Sequence, residues 1–203
     1  YAAPRDVLAG GTWIGLSARA VFAGLTNYHA PFDWYPDPER RSRGDIVGMA
    51  LAAPDASAAR RALAAERAEA WNPFHLVVAD AKAAFLWWYD GERSGFEPLG
   101  PGLHVVTESD REGRGPRADL VRSRWPTDLA PERLQLMLGS HAGPNGTPPG
   151  ICIHMDPAYG TRSSAVLRHT GDVTTSELFV SDARPCLAPM EDRSELLQAL
   201  API

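Results

Sequence analysis

The chain has 203 residues, 44% of them apolar and 22% charged, with a formal net charge of −5. That is the balance of a globular domain long enough to bury a core, and the acidic excess excludes a broad basic field for nucleic acid. No apolar run approaches the roughly 20 residues that span a bilayer, and Cys152 and Cys186 are too few for a disulfide framework. The two cysteines read as reduced thiols of a cytoplasmic protein, with mutual pairing as the alternative.

In chain order, residues 10–28 ("GGTWIGLSARAVFAGLTNY") alternate apolar and other side chains in two runs, which predicts two short strands joined by a turn. Residues 29–41 hold three prolines and read as a loop. The basic run Arg40-Arg41-Ser42-Arg43 reads as its solvated end. A helix is predicted from Ser42, with Asp45 three residues on as in a capping box. A second helix is predicted over 55–70, capped by Asp55, alanine-rich, and ended by Asn72-Pro73. Residues 74–80 and 83–90 predict a strand pair turning at Asp80–Lys82, and "LHVVTE" (103–108) a further strand. Helical patterns follow at 117–124 and 131–138, then a Gly- and Pro-rich loop at 139–150. The segments "ICIHM", "SAVLRHT" and "VTTSELFV" read as strands. Hairpin joins make the sheets mainly antiparallel, giving an α+β fold.

Candidate chemistry is sparse, because no dinucleotide, phosphate-loop, nucleophile-elbow or zinc-protease motif occurs. Cys152 and His154 share one face of a predicted strand but have no partners at a recognisable spacing. They read as a core cysteine beside a rim histidine, with no metal. His29 and His141 sit in loops, where an imidazole can reach a ligand. Trp87 and Trp88 point to opposite faces of their strand, one into the core and the other over a helix or a pocket. Asn27 ends its strand, where its amide either donates to an oxyanion or bonds its own turn. Arg162 either forks onto an anion or holds its loop.

Four stretches in order, "AGGTWIGLSARAVFAGLTNY", "RSRGDIV", "NPFHLVVAD" and "CIHMDPAYGTRSSAVL", together resemble the NRDE family, also called the transport-and-Golgi-organisation-2 family. "AGGTW" and "YGTRSS" are the most specific signatures, and the likeness runs from about residue 5 to about residue 180. The resemblance implies an N-terminal-nucleophile (Ntn) hydrolase-like fold, a four-layer αββα sandwich of two antiparallel sheets. It implies a single domain over 1–203 that lacks its first strand, because the family pattern opens with Met-Cys and an Asn-Arg-Asp-Glu stretch before "GGTW". Tyr1 cannot supply the thiolate and amine of an Ntn nucleophile.

Glu108 stands where relatives carry Asn. A carboxylate there repels an oxyanion unless protonated, and binds an ammonium or pairs with Arg162 instead. His75 likewise stands at an Asn position. The resulting expectation is cleavage of a linear amide bond by an upstream cysteine, with Asn27 and Arg162 in catalytic roles. Glu108, His29, His141, Trp87 and Tyr159 are expected to contact substrate. The alternative is a non-catalytic binder of haem or an acyl-type metabolite, with haem as ligand rather than cofactor. A third reading is a scaffold without a ligand. The expected partner is a small molecule, with no nucleic acid and no membrane span; oligomeric state is left open.

Overall fold

Alternating apolar residues build the larger sheet. The computed structural model describes residues 1–7, 10–29, 36–141, 150–154 and 159–201. Strands β1 (Ile14–Leu16), β2 (Phe22–Asn27), β3 (Phe74–Ala79), β4 (Ala84–Tyr89) and β5 (Ser94–Pro98) form an antiparallel meander in sequence order. Its register aligns Leu25, Leu76, Trp87 and Phe96 in one row across four strands. That face packs against helices α1 (Gly44–Ala52) and α2 (Ala56–Ala64). Ile46, Val47, Ala50, Ala59 and Leu63 meet Phe74, Leu76, Val78 and Trp87 there, all essentially inaccessible to water. Each large side chain so buried contributes about 1.5–3 kcal/mol.

Phe22 points to the opposite face, where a second apolar cluster joins Leu16, Ala20, Val173 and Leu197 to Leu167 and Leu178. The last two come from a three-stranded antiparallel sheet of β6 (Ser164–Arg168), β7 (Glu177–Ser181) and β8 (Glu191–Asp192). Helix α3 (Pro116–Arg124) follows the larger sheet, α4 (Pro131–Leu138) packs on β6, and the short α5 (Glu195–Gln198) packs on β7. The protein is an α+β sandwich of two antiparallel sheets with helices packed outside.

Several local expectations change. Residues 103–108 form no strand. The Asp90-Gly91 turn returns the chain at once, so β5 takes the edge of β4. Helix α2 stops at Ala64, and a separate 3-10 turn covers Ala68–Ala70. Among its described residues, "ICIHM" contributes only a bridge between His154 and Gly160; Met155 lies outside the described residues, as do 30–35 and 142–149 of the two predicted loops. Asp45 completes no capping box: Arg43 caps α1 without a side-chain bond, and the Asp45 carboxylate lies 3.6 Å from Arg41. Asp55 does cap α2, accepting from Ala58 N at 2.7 Å. Asp80 reaches the same helix end from the β3–β4 turn, accepting from Ala56 N at 2.7 Å and from Lys82 and Ala83 N.

The basic run at 40–43 is structural rather than merely solvated. Arg40 and Arg43 each donate at 3.0 Å to the carbonyls of Trp71 and Pro73, and Arg41 pairs with Glu66 over the Trp71 ring. These arginines lock the segment before α1 to the segment before β3. Among the described residues, no helix is long and apolar enough to cross a membrane.

His75 is 1% exposed on β3, its Nδ1 3.0 Å from Thr107 O and its ring tilted against Tyr28. Burial is the largest influence on it and lowers its pKa; Arg111 adds to this, while the bond to Thr107 and the nearby Asp110 and Glu97 oppose it. The unfolded chain therefore takes up this proton at a higher pH than the folded one. Stability falls as pH drops from about 6.5 toward the lowered folded value. Denaturant midpoints measured across that window should show the loss, and His75→Gln should flatten it. An unchanged slope in the variant would assign the acid sensitivity elsewhere.

Candidate functional site

The chain leaving β2 meets the chain entering α3 because His29 N donates to Glu108 O at 2.7 Å. This bond brings the end of β2 beside Glu108 and Arg117, nine residues apart in sequence. Arg117 Nη1 donates to both Glu108 carboxylate oxygens at 2.5 and 2.7 Å. The pair is partly exposed, with 27% of the Arg117 side chain and 38% of the Glu108 side chain accessible. Solvent screening keeps its own stabilisation small. Arg117 Nε is buried and has no hydrogen-bond partner among the described residues, which costs roughly 1–3 kcal/mol for a donor shut away from water. Glu108, expected as a partner of Arg162, is thus held by Arg117, a residue the sequence reading did not single out.

A cavity of about 500 Å³ opens at this junction, lined by Trp13, Leu25, Thr26, Asn27, His29, Glu108, Arg117, Ile153 and Tyr159. Four residues nominated from sequence, Asn27, His29, Glu108 and Tyr159, therefore share one wall system. Trp13 and Leu25 are fixed to each other by the bond from Leu25 N to Trp13 O at 2.7 Å. Ile153 is held from the other side: its N donates to Thr161 Oγ1 at 2.9 Å, and its O accepts from Thr161 N at 3.0 Å. The "YGTR" signature thus presents Tyr159 and clamps Ile153 in one turn. The walls combine apolar faces with an amide, an imidazole and an ion pair, the mixture typical of a small-molecule site.

The remaining nominated residues lie elsewhere. Trp87 is 2% exposed and belongs to the core, stacked on Phe96 and edge-on to Trp71 and Phe74. It lines neither this cavity nor the larger one between the sheets. The neighbouring Trp88, on the opposite face, is covered by the Arg111 guanidinium at 3.8 Å. Arg162 is exposed before β6 and lines neither this cavity nor the larger one. His141 stacks edge-on against His154 with ring centroids 4.9 Å apart, beside Cys152 and Cys186. Cys152, adjacent to Ile153, is buried. That burial, with the neighbouring Cys186 sulfur, holds its thiol above the ordinary range, the wrong direction for a ready nucleophile.

A larger cavity of about 1030 Å³ lies between the sheets, with Phe22, Leu167, Leu178 and Leu197 among its walls. It is the bigger space, and its walls join part of the second apolar cluster to Ser164, His169, Asp182, Arg193 and Glu195; the smaller one is distinguished by gathering Asn27, His29, Glu108 and Tyr159, all nominated from sequence. The sequence reading missed Trp13, Arg117 and Ile153. Trp13 was visible inside "AGGTW", but only the backbone path shows that it shares a wall with Tyr159.

A family model for Transport and Golgi organisation 2 matches residues 2–127. The human Transport and Golgi organization protein 2 homolog is 35% identical over 215 residues, covering 85% of this chain and 73% of that protein. The mouse homolog is 33% identical over 106 residues, and the bovine one 33% over 104, covering 50% and 49% of this chain. Those two matches span only 37% of each relative's length. Match length and identity together place the chain in the Transport and Golgi organisation 2 family.

Proposed function

We propose that the cleft at the end of β2 binds a small amphipathic molecule with an acyl tail and an amide or carboxylate head. The observation that carries this is the convergence of Asn27, His29, Glu108 and Tyr159 on one cavity with apolar Trp13, Leu25 and Ile153. The tail lies against the apolar walls. The head meets the Asn27 amide, the His29 imidazole and the Glu108–Arg117 pair, whose charges cancel and leave room for either a neutral amide or an anion.

A second reading, cleavage of a linear amide bond, is favoured by Asn27 at the cavity rim, where its side-chain amide can hold a developing oxyanion. In this reading the thiol nucleophile comes from the Met-Cys segment of the family pattern, ahead of "GGTW".

Calorimetric titration with a medium-chain N-acyl amino acid tests the binding reading. Trp13→Ala and Asn27→Ala should each weaken binding by about 10-fold, roughly 1.4 kcal/mol, while Leu136→Ala on the exposed face of α4 should not. Absence of binding, or equal affinity in all three variants, would count against it. A haemin titration in parallel separates the ligand classes, because a Soret shift lost in His29→Ala would assign the cleft to haem instead.

A further inference from the structure

We infer that His141, Cys152, His154 and Cys186 form a binding site for a zinc-class divalent cation. Their ligand atoms all lie within 4.8 Å of one another. The individual spacings are those of a coordination polyhedron. Cys152 Sγ is 3.6 Å from Cys186 Sγ, and His154 Nε2 is 3.4 and 3.3 Å from the two sulfurs. A tetrahedral zinc with ordinary Zn–S and Zn–N bonds sets edges of about 3.8 Å between sulfurs and about 3.6 Å between sulfur and nitrogen. Three ligands thus already outline one face of the tetrahedron. His141 completes it by closing about 1 Å, an easy movement for an exposed side chain.

Three separate segments are built to meet here. Ser140 O accepts from Ile151 N and Cys152 N, both at 3.0 Å, which sets His141 beside Cys152. Gln135 Nε2 donates to Pro185 O and Ala188 O, tying α4 to the loop that carries Cys186. Gly139 allows the close approach, since a Cβ there would lie 3.2 Å from Pro185 O and 3.4 Å from Cys186 Cα. The linear spacing matches no common zinc pattern, which is why Cys152 and His154 read as an unpartnered pair in the sequence.

Two thiolates and two imidazoles suit zinc over magnesium or calcium. Four protein ligands leave no open position, so the site is structural. Binding releases the two thiol protons to solvent and involves no redox change. As it stands, Arg184 Nη1 donates to His154 Nδ1 at 3.0 Å, which keeps the ring proton on Nε2. Coordination through Nε2 moves that proton to Nδ1 and turns the guanidinium outward. Ile153, between two ligands, is a wall of the candidate cleft, so the ion also stiffens that wall.

The test is titration of the reduced, chelator-treated full-length protein with cobalt(II), followed by zinc competition. The expected result is one equivalent of cobalt with intense tetrahedral d–d bands and thiolate-to-cobalt charge transfer, displaced by zinc. Cys152→Ser and Cys186→Ser should each weaken binding by at least about 100-fold, and His141→Ala by about 10–100-fold. The wild-type spectrum is decisive even if a variant fails to fold. Octahedral cobalt, no thiolate charge transfer, or a spectrum unchanged in the double-serine protein would overturn the inference.

Discussion

Trp87→Ala is expected to destabilise the protein by about 3–5 kcal/mol, a large share of the 5–15 kcal/mol that holds a typical domain folded. Trp87 stacks on Phe96 with centroids 5.4 Å apart and planes 2° from parallel. It meets Phe74 edge-on at 4.8 Å and Trp71 at 6.0 Å. Deleting the indole leaves a void between β4 and the α1–α2 layer that these rigid rings cannot collapse into. Trp87→Phe keeps one ring in the stack and should cost less than half as much. Chemical denaturation of both variants checks this. Were Trp87 a ligand contact, the truncation would spare the midpoint and weaken binding instead, and that outcome would move it out of the core.

Gly160→Ala is expected to be the most damaging single change at the cleft, at about 3 kcal/mol together with loss of ligand affinity. Gly160 has φ +149°, and an added Cβ would lie 2.4 Å from Ile153 O. That oxygen is backbone, already bonded to Thr161 N and paired across the His154–Gly160 bridge, so it cannot yield cheaply. Moving it displaces Ile153 from the cavity wall and shifts Cys152 and His154 on either side. A thermal midpoint close to wild type, with unchanged binding of the N-acyl probe, would show that the Ile153–Thr161 pairing does not shape the cleft.

The sheets were legible where local pattern decides. Alternation identified β1 to β4, and Asp55 marked the start of α2, because these signals act within a few residues. Residues 103–108 misled because an apolar run cannot reveal that β5 already occupies the edge of β4. The capping box failed because Asp45 has a nearer cation in Arg41. At the site, Asn27, His29, Glu108 and Tyr159 were readable as polar residues at element ends or in signature motifs. Arg117 was not, since its role depends on a bond from His29 N to Glu108 O that links chain segments 79 residues apart. Trp87 and Trp88 show the limit of period-2 reasoning: it places them on opposite faces but does not say which face the helices cover. The cysteine–histidine cluster was illegible for the same reason, because three loops assemble it.

The most direct measurement is photo-affinity labelling with a diazirine-bearing medium-chain N-acyl amino acid, with labelled peptides mapped by mass spectrometry. Binding in the cleft at the end of β2 places label on the segments holding Glu108–Arg117 and Ile153–Tyr159, competed away by unlabelled acyl amino acid. Label confined to Leu167, Leu178 and Leu197, the walls of the larger cavity between the sheets, would contradict it.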